Sequence, residues 1–137
     1  MAAPKLKVES YDGEGLKRAV ESGSWFVAIK NWKPANDIDG FDMLERHLET
    51  DEVFVLLDGA CTLLVDGSAA DDASDIGCVA MEPMKVYCIP KGVWHNTITS
   101  RDAKLILMEN SDTSMANSEI RTLNVDERAA LKTRIAA

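Results

Sequence analysis

Turn signals recur at close spacing between residues 25 and 110, and they cut the apolar sequence into pieces too short for anything but strands. "WFVAIKNW" (25–32) is aromatic and β-branched, and "KPANDIDGFD" then punctuates the chain with Pro34 and Gly40. Residues 41–49 alternate in character, and 52–57 form a second short run. "DGA" at 58–60 is a hairpin signal, because Gly supplies a positive φ at little cost, and "CTLLVDG" returns as the paired strand. An acidic, small-residue loop follows from the Asp66-Gly67 pair through Gly77. Strands are expected at 84–89, stopped by Pro90, at 93–99 after the "PKG" turn, and at 104–110. Many short strands in this rhythm imply an all-β sandwich or barrel.

The β body is expected at 25–110, flanked by an N-terminal arm (1–24) and by a linker with a C-terminal helix (111–137). Within the arm, "GEGLKRAVESGS" reads as a short helix ended by Gly23. "SDTSMANSE" reads as a polar linker. In the final segment Asn124 is the expected N-cap, with Asp126 and Glu127 in the first turn, where acidic groups complement the helix dipole. No internal repeat is visible.

A chain of 137 residues with 46% hydrophobic content can bury one core. Its net charge of -8, with scattered lysines and arginines, disfavours nucleic acid and anionic membrane as partners. No run approaches the roughly 18 apolar residues of a membrane span. "MAAPKLKVES" lacks the apolar core of a secretory signal, so a cytoplasmic location is expected. Cys61, Cys78 and Cys88 are odd in number and lack zinc-knuckle spacing. Cys61 and Cys88 sit in apolar runs and are expected to be buried and reduced.

The stretch "ERHLETDEVFVLLDG" sets charge against an apolar strand. In a strand, Phe41, Met43, Glu45, His47 and Glu49 share one face, and Asp42, Leu44, Arg46 and Leu48 the other. Glu52 opens the next strand, with Phe54 and Leu56 on its face. The chain's other histidine, His95, follows the Pro-x-Gly turn, with Thr97 and Thr99 on its face and Trp94 and Asn96 opposite. A lone histidine on a strand is more often hydrogen-bonded or solvated than a ligand, since a metal site needs several converging donors. The charged run could equally be a solvated edge.

The full spacing resembles that of the cupin superfamily, over roughly residues 38–110. The first cupin motif, G-x5-H-x-H-x3,4-E-x6-G, is matched by His47, Glu52 and Gly59, with Glu45 where the first histidine would stand and Gly40 one spacer short. The second, G-x5-P-x-G-x2-H-x3-N, is matched by Pro90, Gly92 and His95. Met84 takes the place of its leading glycine and Thr99 that of its asparagine, which appears early as Asn96.

The resemblance implies a small single-domain cupin jelly-roll (double-stranded β-helix) barrel with short flanking helices. It further implies a divalent metal held inside by His47, Glu52 and His95, with Glu45 as an altered fourth ligand. Zn, Fe, Mn and Ni all tolerate such a mixed nitrogen and oxygen set. The alternative for Glu45 is a free carboxylate engaged in proton transfer, and without metal Glu45 and Glu52 would repel. Met43 and Phe41 are expected along the apolar pocket wall, with Arg46 pointing away. Glu49 lies toward the bend, and Asp51 is expected to be solvated. The leading functional expectation is a metal-dependent enzyme, an oxidoreductase or isomerase, acting on a small polar metabolite such as a sugar or keto acid. The alternative is a non-catalytic module that binds or senses a small ligand. Small cupins often pair, so a homodimer is expected, with the aromatic strand at 25–32 as loose support.

Overall fold

The computed structural model describes residues 5–66 and 75–136. The alternating runs become ten strands: β1 Leu16–Ser22, β2 Trp25–Asn31, β3 Met43–His47, β4 Glu52–Asp58, β5 Cys61–Asp66, β6 Gly77–Ala80, β7 Val86–Ile89, β8 Trp94–Thr99, β9 Lys104–Asn110 and β10 Ser118–Thr122. They form two five-stranded sheets, ordered β1-β2-β9-β4-β7 and β10-β3-β8-β5-β6, with antiparallel neighbours throughout. This is the all-β jelly roll expected. One helix, α1 (Val125–Ala136), closes the described chain. Its start is capped as expected: Glu127 N–H donates to Asn124 Oδ1 at 2.8 Å, and Asn124 N–H donates back to Glu127 Oε1 at 3.0 Å.

Two cores follow from strand alternation. Between the sheets, Phe26, Ala28, Phe54, Leu56, Leu63 and Leu107 pack with their neighbours. Behind the second sheet, Leu44, Leu64, Trp94, Ile98 and Leu131 pack under α1. Both bury enough apolar surface to hold the sheets and helix in register.

Three expectations are corrected. Residues 16–22 are a strand rather than a short helix, because pairing with β2 captures a segment too short to sustain a helix alone. The polar linker ends in a strand, β10, whose backbone completes the edge beside β3. Phe41 is buried in the helix-side core and not in the pocket, since it precedes the start of β3 and escapes its alternation. The loop expected between Asp66 and Gly77 lies mostly outside the described residues, and β6 begins at its end.

Glycine positions show why the spacing is strict. Gly59 has φ 71°, and a Cβ there would meet Ala103 backbone at 2.7 Å. Met84, standing where the resemblance expects glycine, has φ 64° and is 74% exposed. A side chain in that left-handed region costs about 1–2 kcal/mol. Met84→Gly is therefore expected to raise stability by about 0.5–1 kcal/mol after the entropy cost of glycine, measured by urea unfolding. A fall in stability would show that Met84 packing outweighs its backbone cost.

Candidate metal centre

Strand β3 sends Met43, Glu45 and His47 inward, β4 sends Glu52 and Phe54, and β8 sends His95 and Thr97. Glu45 lies opposite His95 in the only paired position of β3 with β8. The Pro90–Gly92 turn joins the two motifs physically. Gly92, at φ 81°, donates its N–H to His47 O at 2.7 Å. Asp51, rather than being merely solvated, accepts from Lys91 N–H at 2.9 Å and so pins the same turn.

The result is a convergence of donors. Ligand atoms of Glu45, His47, Glu52 and His95 lie within 4.8 Å of one another. His95 is 2% exposed and Glu52 3%. His95 Nδ1 lies 3.0 Å from Val93 O, an acceptor only, so Nδ1 carries the hydrogen. In the neutral ring Nε2 is then a bare lone pair, yet it faces Glu52 Oε1 at 3.0 Å. Two acceptors at that distance need a proton or a cation between them. His47 repeats the pattern. Its Nδ1 lies 2.8 Å from Ser118 Oγ, while Nε2 is buried without a hydrogen-bond partner, 3.6 Å from both Glu52 and Glu109. Glu45 Oε1 is 4.0 Å from His95 Nε2. Two imidazoles and two carboxylates arranged in this way fit a divalent ion of the borderline kind.

The titration shifts agree with strong coupling. Burial pushes the Glu52 carboxyl up, but the His47 and His95 imidazoles outweigh it and hold it below its usual 4.5. The Glu52 carboxylate raises His47 above its usual 6.5 against the effect of burial. Burial pushes the Cys61 thiol up to about 12, so it is an inert core thiol. Cys88, expected to be buried, is exposed and lies near Asp51, because its side chain points to the outer face of β7.

A pocket of about 180 Å³ opens beside the cluster, lined by Met43, Glu45, Glu52, Phe54, His95 and Thr97 among others. Leu56, by contrast, belongs to the core. Thr99 is buried without lining the pocket. Trp94 lies outside it, in the helix-side core, with the Arg46 guanidinium 4.4 Å above its ring. Arg46 also pairs with Glu119. Glu49 meets Asn117 at the surface and has no part in the cluster. Asn96 was expected to face away but reaches the pocket. The β3–β8 ladder has a single paired position, and Asn96 Nδ2 fills the gap by donating to Met43 O at 2.9 Å.

Among the lining residues that the sequence did not point to, Lys30, Asn36 and Glu109 are buried or nearly buried polar groups. Two of them had a signal. The inner faces of β2 and β9 read Phe26, Ala28, Lys30 and Leu105, Leu107, Glu109, so each apolar row ends in a charge. A charge at the end of an inward row marks a pocket, because a charge is rarely buried without purpose. Asn36 had no such signal, as it sits in a 3-10 turn, Pro34–Asn36. Burial pushes the Lys30 ammonium below its usual 10.5, and Lys33 adds to that, while Glu52 and Glu45 act the other way.

Fold and site together define a barrel of the cupin type with an inward His/Glu cluster. No protein-family model and no curated protein matches the chain. Among solved structures it is similar to a cupin-2 domain protein of Shewanella frigidimarina, at 18% identity and TM-score 0.52, over 73% of this chain and 84% of that one. It is also similar to Pac13 of Streptomyces, a nucleoside dehydratase whose structure holds uridine, at 10% identity and TM-score 0.59, over 93% of this chain and 98% of that one. KdgF from Halomonas sp. is similar at 12% identity and TM-score 0.52, over 72% and 80%. At these identities the likeness is one of fold.

Proposed function

We propose that this chain is a metal-binding cupin in which Glu45, His47, Glu52 and His95 hold a divalent ion, and that it is an enzyme acting on a small polar metabolite. The observation that carries the reading is the convergence of His95 Nε2, 3.0 Å from Glu52 Oε1, and His47 Nε2, which has no hydrogen-bond partner and lies 3.6 Å from the Glu52 carboxylate. Zn, Fe, Mn and Ni are the candidate ions. When bound, such an ion would supply Lewis-acid activation of a ligand oxygen. The chain's own contribution is to orient that ligand, to shield it between Phe54 and Leu107, and to move protons. Glu45, with 32% of its side chain exposed, is the member of the four open enough to exchange a proton with a pocket ligand. Pac13 supports an enzymatic reading to the extent that a barrel of this fold can carry out a dehydration.

The pocket's remaining polar side chains favour a second reading. Asn36, Asn96 and Thr97 are hydrogen-bonded to one another, which suits a site built to hold a ligand without turnover. A ligand screen with tight binding and no product would favour that reading. The homodimer belongs to the proposal too, supported by Trp25, Leu57, Val86 and Met108 exposed on the first sheet. So does the cytoplasmic location; among the described residues no helix is long and apolar enough to cross a membrane.

Elemental analysis of the purified protein, with anomalous diffraction at the pocket, tests the metal. An ion held by the four side chains is expected, and a metal-free protein with full activity overturns the reading. Ser118 provides a finer check, because its Oγ orients His47. Ser118→Ala is expected to weaken metal affinity about tenfold, read by competition with a chelator. Unchanged affinity would remove Ser118 from the support of the site.

A further inference from the structure

Lys30 is the charge in the pocket that the donor cluster does not explain. It is 8% exposed on the inner face of β2. Its Nζ makes one hydrogen bond, to Asn36 Oδ1 at 3.1 Å, and forms no ion pair among the described residues. An ammonium has three donors, so two are left without a protein partner. A charge buried in that way is costly unless something pairs with it. The placement is built rather than incidental. Asn36 is itself buried, and its Nδ2 donates to Asn96 Oδ1 at 3.1 Å and to Thr97 O at 2.9 Å. That network fixes the acceptor that in turn fixes Lys30.

Charge and size narrow what could pair with it. Glu45, Glu52 and Glu109 bring three carboxylates to the pocket, and Lys30 is its buried ammonium, Lys33 at the mouth being exposed. A divalent ion held by Glu45 and Glu52 would take up the charge of those two carboxylates, which leaves the Lys30 ammonium to a ligand anion. The volume of about 180 Å³ corresponds to about six waters, the bulk of a three- or four-carbon acid. The register sets Lys30 opposite Leu105, and Leu105 opposite Leu56, further along β4 than Glu52, so Lys30 stands apart from the donor cluster along the barrel.

We propose that Lys30 binds the carboxylate of a small monocarboxylic acid whose second oxygen lies against the Glu45, His47, Glu52 and His95 cluster. This deepens the metal-site reading above and rests on it. A neutral sugar would leave the Lys30 charge unpaired.

The test uses lactate and 3-hydroxybutanoate as probes, with propane-1,2-diol and butane-1,3-diol as neutral counterparts. Each is titrated calorimetrically into Zn(II)- or Mn(II)-loaded protein whose metal content is measured first. At least one acid is expected to bind the wild type about tenfold or more tightly than its diol. Lys30→Met and Lys30→Gln are expected to lose that preference at unchanged metal content. Circular dichroism reports whether each variant is folded, and the glutamine variant keeps a donor at the position if methionine fails. Loaded wild type with no preference for either acid overturns the proposal, as does a folded variant that keeps the preference. A wild type that takes up no metal overturns the underlying reading, and this is seen before any acid is added.

Discussion

Replacing His95 with alanine is expected to cut metal affinity by about a hundredfold or more. Loss of a group that merely orients a ligand costs 10–100-fold, and His95 is proposed as a ligand itself. The substitution removes one of the two nitrogen donors of the cluster. His95 Nδ1 is tied to Val93 O at 3.0 Å, so the ring cannot turn without breaking a hydrogen bond. Alanine fits the strand backbone, and β8 stays paired with β5 along its length, so the barrel is expected to remain folded. Elemental analysis after dialysis, beside a circular dichroism spectrum, reads both outcomes. Glu49→Gln is the control, because that carboxylate lies at the surface against Asn117. Full metal content in a folded His95→Ala protein would remove His95 from the ligand set.

The cluster was legible in the sequence because motif spacing and strand period act together. His47 and Glu52 are separated by a bend, and each strand's alternation turns its side chain inward. The Pro-x-Gly turn gave the third position, because its Gly92 N–H docks on His47 O. Departures from the motif were informative too. Met84 keeps the left-handed backbone that glycine would adopt freely, so the turn persists with a different residue. What was not legible depended on distant parts of the chain. Residues 16–22 have no strong strand character of their own and are strand because β2 is beside them. Ser118 reaches His47 only because β10 pairs with β3 across 71 residues. Asn36 and Asn96 meet across 60 residues, a contact no local pattern encodes. Lys30 and Glu109 were visible in principle, as the charged ends of inward apolar rows.

Removing metal is expected to change the pH dependence of stability as well as its size. In the metal-free protein, the imidazoles hold Glu52 below its usual 4.5 even though burial pushes it up. The unfolded chain therefore binds more protons at this carboxyl, and its contribution to stability is present above pH 4.5 and lost as the pH falls through the folded value. His47 behaves oppositely. The Glu52 carboxylate raises it above 6.5, so its contribution is complete below pH 6.5 and lost as the pH rises through the raised value. This pair thus makes the metal-free barrel most stable between pH 4.5 and 6.5 and weaker on the alkaline side. A metal needs the imidazoles deprotonated, so its binding strengthens over the same alkaline range. At a hundred times its Kd a bound ion contributes about 2.7 kcal/mol, or about 10 °C in Tm for a domain of this size. The Tm difference between metal-loaded and chelator-treated protein is therefore expected to widen from about pH 6 to about pH 8, as His47 loses its proton. Differential scanning calorimetry at several pH values measures it. Parallel curves across that range would mean that the ion, if it binds, does not displace a proton from His47, and the assignment of His47 as a ligand would fall.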